Sequence, residues 1–156
     1  YITIRFDKKY ALFALLALFH DLLIVFGIFS WLGIILSVEV NSLFAVSLLT
    51  IAGYSVNDTV VIFDRIRENL RKYKKQDLYD LINKSINQTL SRTVLTSFTT
   101  LLALFSLYFF GGQVIKGFTL AMIIGVFIGT YSSTFIASQL LEILGVKRDW
   151  SKNKEN

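Results

Sequence analysis

Apolar residues fill long stretches of this chain, and short polar segments separate the stretches. A helix that crosses about 30 Å of hydrocarbon needs about 20 mostly apolar residues, because each residue advances it by about 1.5 Å. Four stretches reach this length, and they cover residues 10–36, 42–63, 88–110 and 117–144. The pattern predicts an all-α membrane protein, with a bundle of four complete transmembrane helices over residues 10–144.

The segments outside these stretches have patterns of their own. Between the second and third stretches, apolar residues recur at helical spacing: Leu78, Leu81, Ile82, Ile86 and Leu90. This predicts an amphipathic helix over 77–88 that lies on the membrane surface, and a plain solvated helix is the alternative. Residues 1–9 are interpreted as the end of a preceding span and a turn, so the chain is expected to be a fragment. Residues 145–156 form a polar tail.

Composition supports a lipid environment and excludes several other classes. Hydrophobic residues make up 54% of the chain and charged residues only 17%, whereas soluble domains carry about 25% charged residues. There is no Cys and only one His, so neither a thiolate nor a His-rich metal site is expected, and no cofactor is predicted.

The net charge of +5 comes from basic clusters beside alternate ends of the spans, which does not indicate nucleic-acid binding. These clusters are Arg5, Lys8 and Lys9; then Arg65, Arg67, Arg71, Lys72, Lys74 and Lys75; then Lys147, Arg148, Lys152 and Lys154. Because Lys and Arg concentrate in cytoplasmic loops, both ends of the chain are predicted to be cytoplasmic.

Small residues recur every four positions along the fourth stretch, at Ala121, Gly125, Gly129, Ser133 and Ala137. Such a stripe lets a neighbouring helix approach closely. It predicts a packing face rather than a ligand site.

Four ionisable residues fall inside the predicted spans, namely His20, Asp21, Asp58 and Arg92. A charge at such a depth costs roughly 2.5–3.5 kcal/mol on insertion, so these residues are candidates for function. Polar residues extend from them as seams: Ser47, Thr50, Tyr54, Asn57 and Asp58 on the second span, and Ser85, Gln88, Arg92, Thr96, Thr99 and Ser106 on the third.

Asp58 and Arg92 should lie at similar depth on antiparallel helices, which makes them plausible ion-pair partners. One interpretation is a static pair that fixes helix register. The other is proton transfer, in which making and breaking the pair loads and releases a proton on the carboxylate. For His20 and Asp21, a structural hydrogen bond to a neighbouring helix is an equally good interpretation.

Three segments around these residues resemble one family. The run at 51–69, Ile-Ala-Gly-Tyr-Ser-Val-Asn-Asp-Thr-Val-Val-Ile-Phe-Asp-Arg-Ile-Arg-Glu-Asn, is similar to the signature of SecF proteins, the protein-export membrane subunits that work with SecD. Phe-His-Asp at 19–21 and Thr-Leu-Ser-Arg-Thr-Val-Leu-Thr-Ser at 89–97 agree with it.

The resemblance implies the C-terminal part of a six-span half of the RND superfamily, in a bacterial plasma membrane or a thylakoid. It implies a non-enzymatic subunit that uses the proton motive force to assist polypeptide translocation. The implied partners are a SecD-like half, the SecYEG channel, the translocating preprotein and membrane lipid. It also implies that Asp58 and Arg92 belong to the proton pathway. His20 and Asp21 match a family pair and are predicted to belong to the same pathway.

Two other functions remain alternatives. One is a proton-coupled small-molecule exporter of the same superfamily, although such exporters carry both halves and large periplasmic loops in one long chain. The more distant one is an intramembrane aspartyl protease with Asp21 and Asp58 as the carboxylate dyad, although neither aspartate stands in the Tyr-Asp or Gly-x-Gly-Asp motif of those proteases.

Overall fold

A computed structural model describes residues 8–36, 42–73 and 77–136, which form a bundle of four helices. They are α1 (Lys8–Leu36), α2 (Ser42–Lys72), α3 (Leu78–Phe110) and α4 (Gln113–Tyr131), and α4 continues into a π-helical segment, Ser132–Ile136. Each helix contains a segment that is long and apolar enough to cross a membrane. The predicted all-α bundle of four spans is therefore confirmed.

The outer surface of the bundle is largely apolar. Large side chains such as Leu15, Ile34, Leu49, Phe98 and Phe110 are exposed on it, from helices all around the molecule. A soluble monomer rarely leaves so much contiguous apolar surface uncovered, because contact with water makes it unfavourable. Lipid is the solvent that suits these faces.

The middle helices are longer than the hydrocarbon is thick. α2 has 31 residues and α3 has 33, which gives lengths of about 46 Å and 50 Å against a hydrocarbon core of about 30 Å. Both extend at the end where α2 finishes and α3 begins. This end carries Arg65, Arg67, Arg71, Lys72 and Lys84 and is called the basic end below.

The segment over 77–88, for which an amphipathic surface helix was predicted, is helical and forms the first part of α3. The apolar residues Leu81 and Ile82 are buried against Phe13 and Ala14 of α1 and Ile66 of α2, rather than facing lipid headgroups. No Gly or Pro interrupts residues 78–110, so the helix continues unbroken into the span.

Side-chain hydrogen bonds join α2 to α3 at the basic end. The amide of Asn69 donates to the Ser85 hydroxyl at 2.8 Å and to the Gln88 side-chain oxygen at 2.9 Å, and Arg65 donates to the same Gln88 oxygen at 2.8 Å. Asn69 is almost fully buried, so these bonds satisfy an amide that water cannot reach. The two helices are thereby held side by side beyond the span.

The opposite end of α3 turns sharply into α4 at Gly111. The Gly111 N–H donates to the Leu107 carbonyl at 2.8 Å and closes the helix. A Cβ at this position would overlap that carbonyl oxygen and the Ile115 side chain, so the turn requires glycine. Helix α4 therefore begins at Gln113, four residues before the predicted start of its span.

The small-residue stripe of α4 faces α2. Gly125 lies against the Ile51 side chain, and Gly129 lies against Ser55, where an added Cβ would be 3.4 Å from the Ser55 Cβ. Ala121 and Ser133 are fully buried, whereas Ala137 lies outside the described residues. Small side chains thus let the α2 and α4 backbones come close, which increases van der Waals contact where no hydrophobic driving force exists.

We expect Gly125→Ala to lower the free energy of unfolding of the full-length protein by about 1–3 kcal/mol, because the new methyl group overlaps Ile51. Thermal unfolding in detergent measures the effect. Gly27→Ala is the matched control, since a Cβ there meets nothing within 4 Å. Trimming Ile51 to Ala in the Gly125→Ala variant should restore part of the loss. Equal stability of the Gly125→Ala and Gly27→Ala variants would contradict the close packing of α2 on α4.

Candidate functional site

A layer of polar side chains crosses the bundle between two apolar clusters. Toward the basic end, one cluster contains Phe13, Ala14, Ala17, Ile62, Phe63, Ile66, Leu70, Leu81 and Ile82. On the other side, a second cluster contains Val25, Ile51, Leu104, Met122, Ile123 and Val126. Between them lie Asp21, Tyr54, Ser55, Asp58, Thr93, Ser97, Thr130 and Ser133, which we call the polar layer. All four helices and the π segment contribute residues to the polar layer.

Asp58 of α2 is half-buried in the polar layer and accepts hydrogen bonds from two other elements. The Thr93 hydroxyl of α3 donates to its Oδ1 at 3.0 Å, and the Ser133 hydroxyl of the π segment donates to its Oδ2 at 2.5 Å. Thr93 and Ser133 are themselves buried. The carboxyl group therefore joins three elements, and π-helical turns of this kind are frequent at functional sites.

Asp21 of α1 is fully buried in the same layer. The Ser55 hydroxyl of α2 donates to its Oδ2 at 2.5 Å, and Nδ1 of His20 lies 3.2 Å from its Oδ1. Ser55 precedes Asp58 by three residues on α2. The residue that binds Asp21 therefore lies about one helical turn from Asp58. Within the described segments, the hydrogen-bond partners of Asp21 are Ser55 and His20, and those of Asp58 are Thr93 and Ser133.

A chain of hydroxyl groups completes the layer between α2, α3 and α4. Thr130 donates to the Val126 carbonyl at 2.7 Å. A hydroxyl has one proton to donate, so Ser97 donates to Thr130 at 2.7 Å and the Tyr54 hydroxyl donates to Ser97 at 3.0 Å. Every member of this chain thus has a partner in the interior of the bundle.

Arg92 does not form the expected ion pair with Asp58. Within the part of the chain that the structure describes, no Arg92 nitrogen lies within 4.0 Å of a carboxylate oxygen, although its charge acts on Asp58 electrostatically. Thr93, the next residue after Arg92, is the one that contacts Asp58. Arg92 itself projects from the adjacent face of α3. The predicted rotation of α3 about its axis therefore differs from the structure, in which Thr93 is buried and Arg92 is exposed.

The Arg92 side chain instead lines a cavity of about 310 Å³ between α2 and α3 on the side of the basic end. The other lining residues are Val61, Asp64, Arg65, Glu68, Gln88 and Thr89. In this cavity, Arg65 donates hydrogen bonds to the Glu68 carboxylate at 2.7 Å and to the Gln88 side-chain oxygen. Arg92 therefore lines this cavity, while the adjacent Thr93 contacts Asp58.

The buried polar face of α3 is one position away from the predicted seam. It consists of Ser85, Thr89, Thr93 and Ser97, spaced by four residues, whereas Thr96, Thr99 and Ser106 of the predicted seam are exposed. On α2, Ser47 is buried and Tyr54 half-buried as predicted, but Thr50 and Asn57 are exposed. The even spacing of small hydroxyl residues was the signal for the buried face, because small side chains allow close helix packing.

The arrangement can bind and transfer protons. It offers two carboxyl groups, one imidazole and several hydroxyls in a region that the apolar clusters separate from both ends. A metal site is not apparent, since no three His, Cys, Asp or Glu side chains converge within residues 8–36, 42–73 and 77–136.

Comparisons with known proteins agree with the fold and the motifs. A family model described as protein export membrane protein SecD/SecF, C-terminal, matches residues 1–147. The protein translocase subunit SecF of Prochlorococcus marinus is 56% identical over 143 residues, which are 92% of this chain and 44% of that protein. The SecF of Rhodobacter capsulatus is 49% identical over 152 residues, covering 97% of this chain and 44% of that protein. The chain thus spans less than half the length of these relatives.

Two solved structures have the same fold. SecDF from Thermus, described as a translocon-associated membrane protein, has a TM-score of 0.86 and 46% identity, and the match covers 92% of this chain and 20% of that one. SecDF in a super-membrane-facing form has a TM-score of 0.85 and 45% identity, with 92% and 19% covered. The chain belongs to the SecD/SecF family of protein-export membrane proteins, and its similarity is to the SecF branch.

Proposed function

We propose that this chain is the membrane portion of a SecF-like subunit that uses the proton motive force to assist polypeptide translocation, without enzymatic activity. Asp58 carries the proton in this proposal. The observation that supports it best is the set of hydroxyl partners of Asp58, because they suit both the charged and the neutral carboxyl group.

Ser133 has two acceptors within reach, Oδ2 of Asp58 at 2.5 Å and the Thr130 carbonyl at 3.2 Å. When Asp58 is charged, Ser133 donates to it. When Asp58 binds a proton on Oδ2, the new O–H donates to Ser133, and Ser133 turns its own proton toward Thr130. Thr93 donates to Oδ1 in both states. One proton can therefore be bound or released without leaving a buried polar group unsatisfied.

Arg92 can make that exchange depend on helix movement. A charged carboxylate in this layer needs a compensating charge, which either a proton or a nearby guanidinium can supply. In this conformation Arg92 faces the cavity, and the partners of Asp58 among the described residues are hydroxyl groups. Movement of α3 that brings Arg92 to Asp58 favours proton release, and withdrawal of Arg92 favours proton binding. The conformational cycle and the proton cycle are thereby linked.

A SecD-like half is the proposed partner on the face formed by α2 and α3. Arg92, Asn57, Thr96 and Thr99 are exposed there, and the space beside Gly53 is open. Polar side chains at these depths are unfavourable toward lipid, and a second bundle can supply hydrogen-bond partners for them. The SecYEG channel, the preprotein and membrane lipid are the further partners in this proposal.

The chain is placed in the bacterial plasma membrane, with a thylakoid as the alternative and the basic end in the cytoplasm. In a full-length protein with no other cysteines, we expect Gly112→Cys to react with an impermeant thiol reagent added from outside. Asp77→Cys should react only from the cytoplasmic side. Both positions are exposed, so failure to label reports sidedness rather than burial. Labelling in the opposite sense at either position would reverse the proposed topology.

Asp58→Asn tests the proton-carrier role, because asparagine keeps the size, can accept from Thr93 and donate to Ser133 as the protonated carboxyl group does, but cannot titrate. We expect the variant to assemble with its SecD-like partner and to lose gradient-dependent stimulation of export, with Asp58→Glu retaining part of it. The measurement is export of a preprotein into vesicles with and without an imposed proton gradient. Asp64→Asn, at the exposed boundary, is the control and should have a much smaller effect. Full stimulation in an assembled Asp58→Asn complex would reduce Asp58 to a structural clamp.

Arg92 variants test the compensating charge in the same export measurement. Arg92→Lys keeps the charge and loses the planar fork of donors, so we expect partial loss of gradient stimulation. Arg92→Met removes the charge at similar length and should abolish nearly all of it. If Met and Lys at this position behave alike, the charge of Arg92 is not what the cycle uses.

A further inference from the structure

Asp21 presents a charge problem that the proposed role of Asp58 does not explain. Its side chain is fully buried on the face of α1 between Ala17 and Val25, which belong to the two apolar clusters. Among the described residues, the only ionisable group within salt-bridge distance is His20. An uncompensated carboxylate at this position is costly, because neither water nor a fixed cation stabilises it.

The contact between His20 and Asp21 identifies how the charge is compensated. Nδ1 of His20 and Oδ1 of Asp21 are 3.2 Å apart, so one proton must lie between them, since two lone pairs would repel each other. If that proton belongs to a neutral imidazole, the pair keeps a net negative charge in the interior. The pair is neutral when it holds one more proton, as imidazolium with carboxylate or as imidazole with carboxylic acid.

We propose that His20 and Asp21 form a second proton-binding site, which Ser55 couples to Asp58. This inference rests on the proposed proton-driven function and adds a second position to it. The site binds one proton and later releases one, so only N–H and O–H bonds form and break. His20 is 40% exposed and Asp21 is not exposed at all, so the imidazole connects the buried carboxyl group to the surface of α1.

The coupling follows from the way α4 lies across both sites. Gly129 contacts Ser55, the donor to Asp21, and Ser133 four residues later donates to Asp58. A shift of α4 that breaks the Ser133 bond therefore changes the packing at Ser55 as well. Since Ser55 and Asp58 lie on consecutive turns of one helix, the two sites cannot respond independently.

Few other groups can influence this site. The elements packed on α1 are α2, α4 and the π segment, together with α3 toward the basic end, where Leu81 and Ile82 lie against Phe13 and Ala14. Within the described residues, α2 brings Ser55 and Asp58 to this layer, and the π segment brings the hydroxyls of Ser132 and Ser133. The Ser132 hydroxyl is fully buried and has no hydrogen-bond partner among the described residues. This hydroxyl can therefore accept or donate a further hydrogen bond while protons are bound and released.

Ser55→Ala is the sharpest test, because it removes only the hydroxyl that donates to Asp21. Loss of this donor disfavours the charged carboxylate, so the pH midpoint of gradient-stimulated export in the full-length SecD and SecF complex should move up by about 0.5–1 unit. Ser47→Ala is the matched control. Ser47 is equally buried on α2, but its hydroxyl donates to the Phe44 carbonyl of its own helix at 2.6 Å, so the midpoint should not move.

A second measurement detects the proton directly. In an Asp58→Asn background, infrared difference spectra between low and high pH should contain a carboxylic-acid or an imidazolium band that Asp21→Asn removes. Identical pH profiles for Ser55→Ala and Ser47→Ala, or infrared spectra unchanged by Asp21→Asn, would make the pair a static hydrogen bond. Neither result depends on whether Asp58→Asn abolishes stimulation, so failure of this inference is distinguishable from failure of the proposed function.

Discussion

A polar group inside a membrane bundle must find its hydrogen-bond partners within the protein, because hydrocarbon supplies none. This constraint organises the centre of the structure. Asp21 and Asp58 are satisfied by hydroxyls from other elements, and those hydroxyls fix where α2, α3 and the π segment meet. The apolar clusters on either side have many interchangeable contacts, whereas the polar layer has few and specific ones. The register of the bundle therefore depends on the polar layer.

Hydropathy alone was sufficient to predict the four spans, since lipid selects for length and apolarity. It did not predict what the apolar face of the segment over 77–88 contacts, because an amphipathic pattern is the same whether that face meets headgroups or another helix. Leu81 and Ile82 meet α1 and α2 instead. Such a choice depends on contacts between segments distant in sequence, and no local pattern contains them.

The site was predicted in part for a related physical reason. Burial cost identified Asp21 and Asp58 as exceptional, and their depth followed from their position in the spans. The rotation of α3 about its axis was harder to predict. Gln88 and Arg92 are the more polar residues, so the predicted polar seam was placed along them. In the bundle the smaller Thr89 and Thr93 take the interior, and the long side chains remain at the face where they have room.

The two apolar clusters that enclose the polar layer also have an electrical consequence. In a membrane, two such clusters act as insulating plugs in series, so part of the voltage falls across each, and a charge held in the polar layer lies part of the way through the field. Moving one elementary charge through 100 mV corresponds to about 2.3 kcal/mol. An ion crossing one plug therefore gains only a fraction of this energy. A continuous water path through both plugs would let ions cross and dissipate the gradient. The close packing of the two clusters is therefore as important as the polar groups that lie between them.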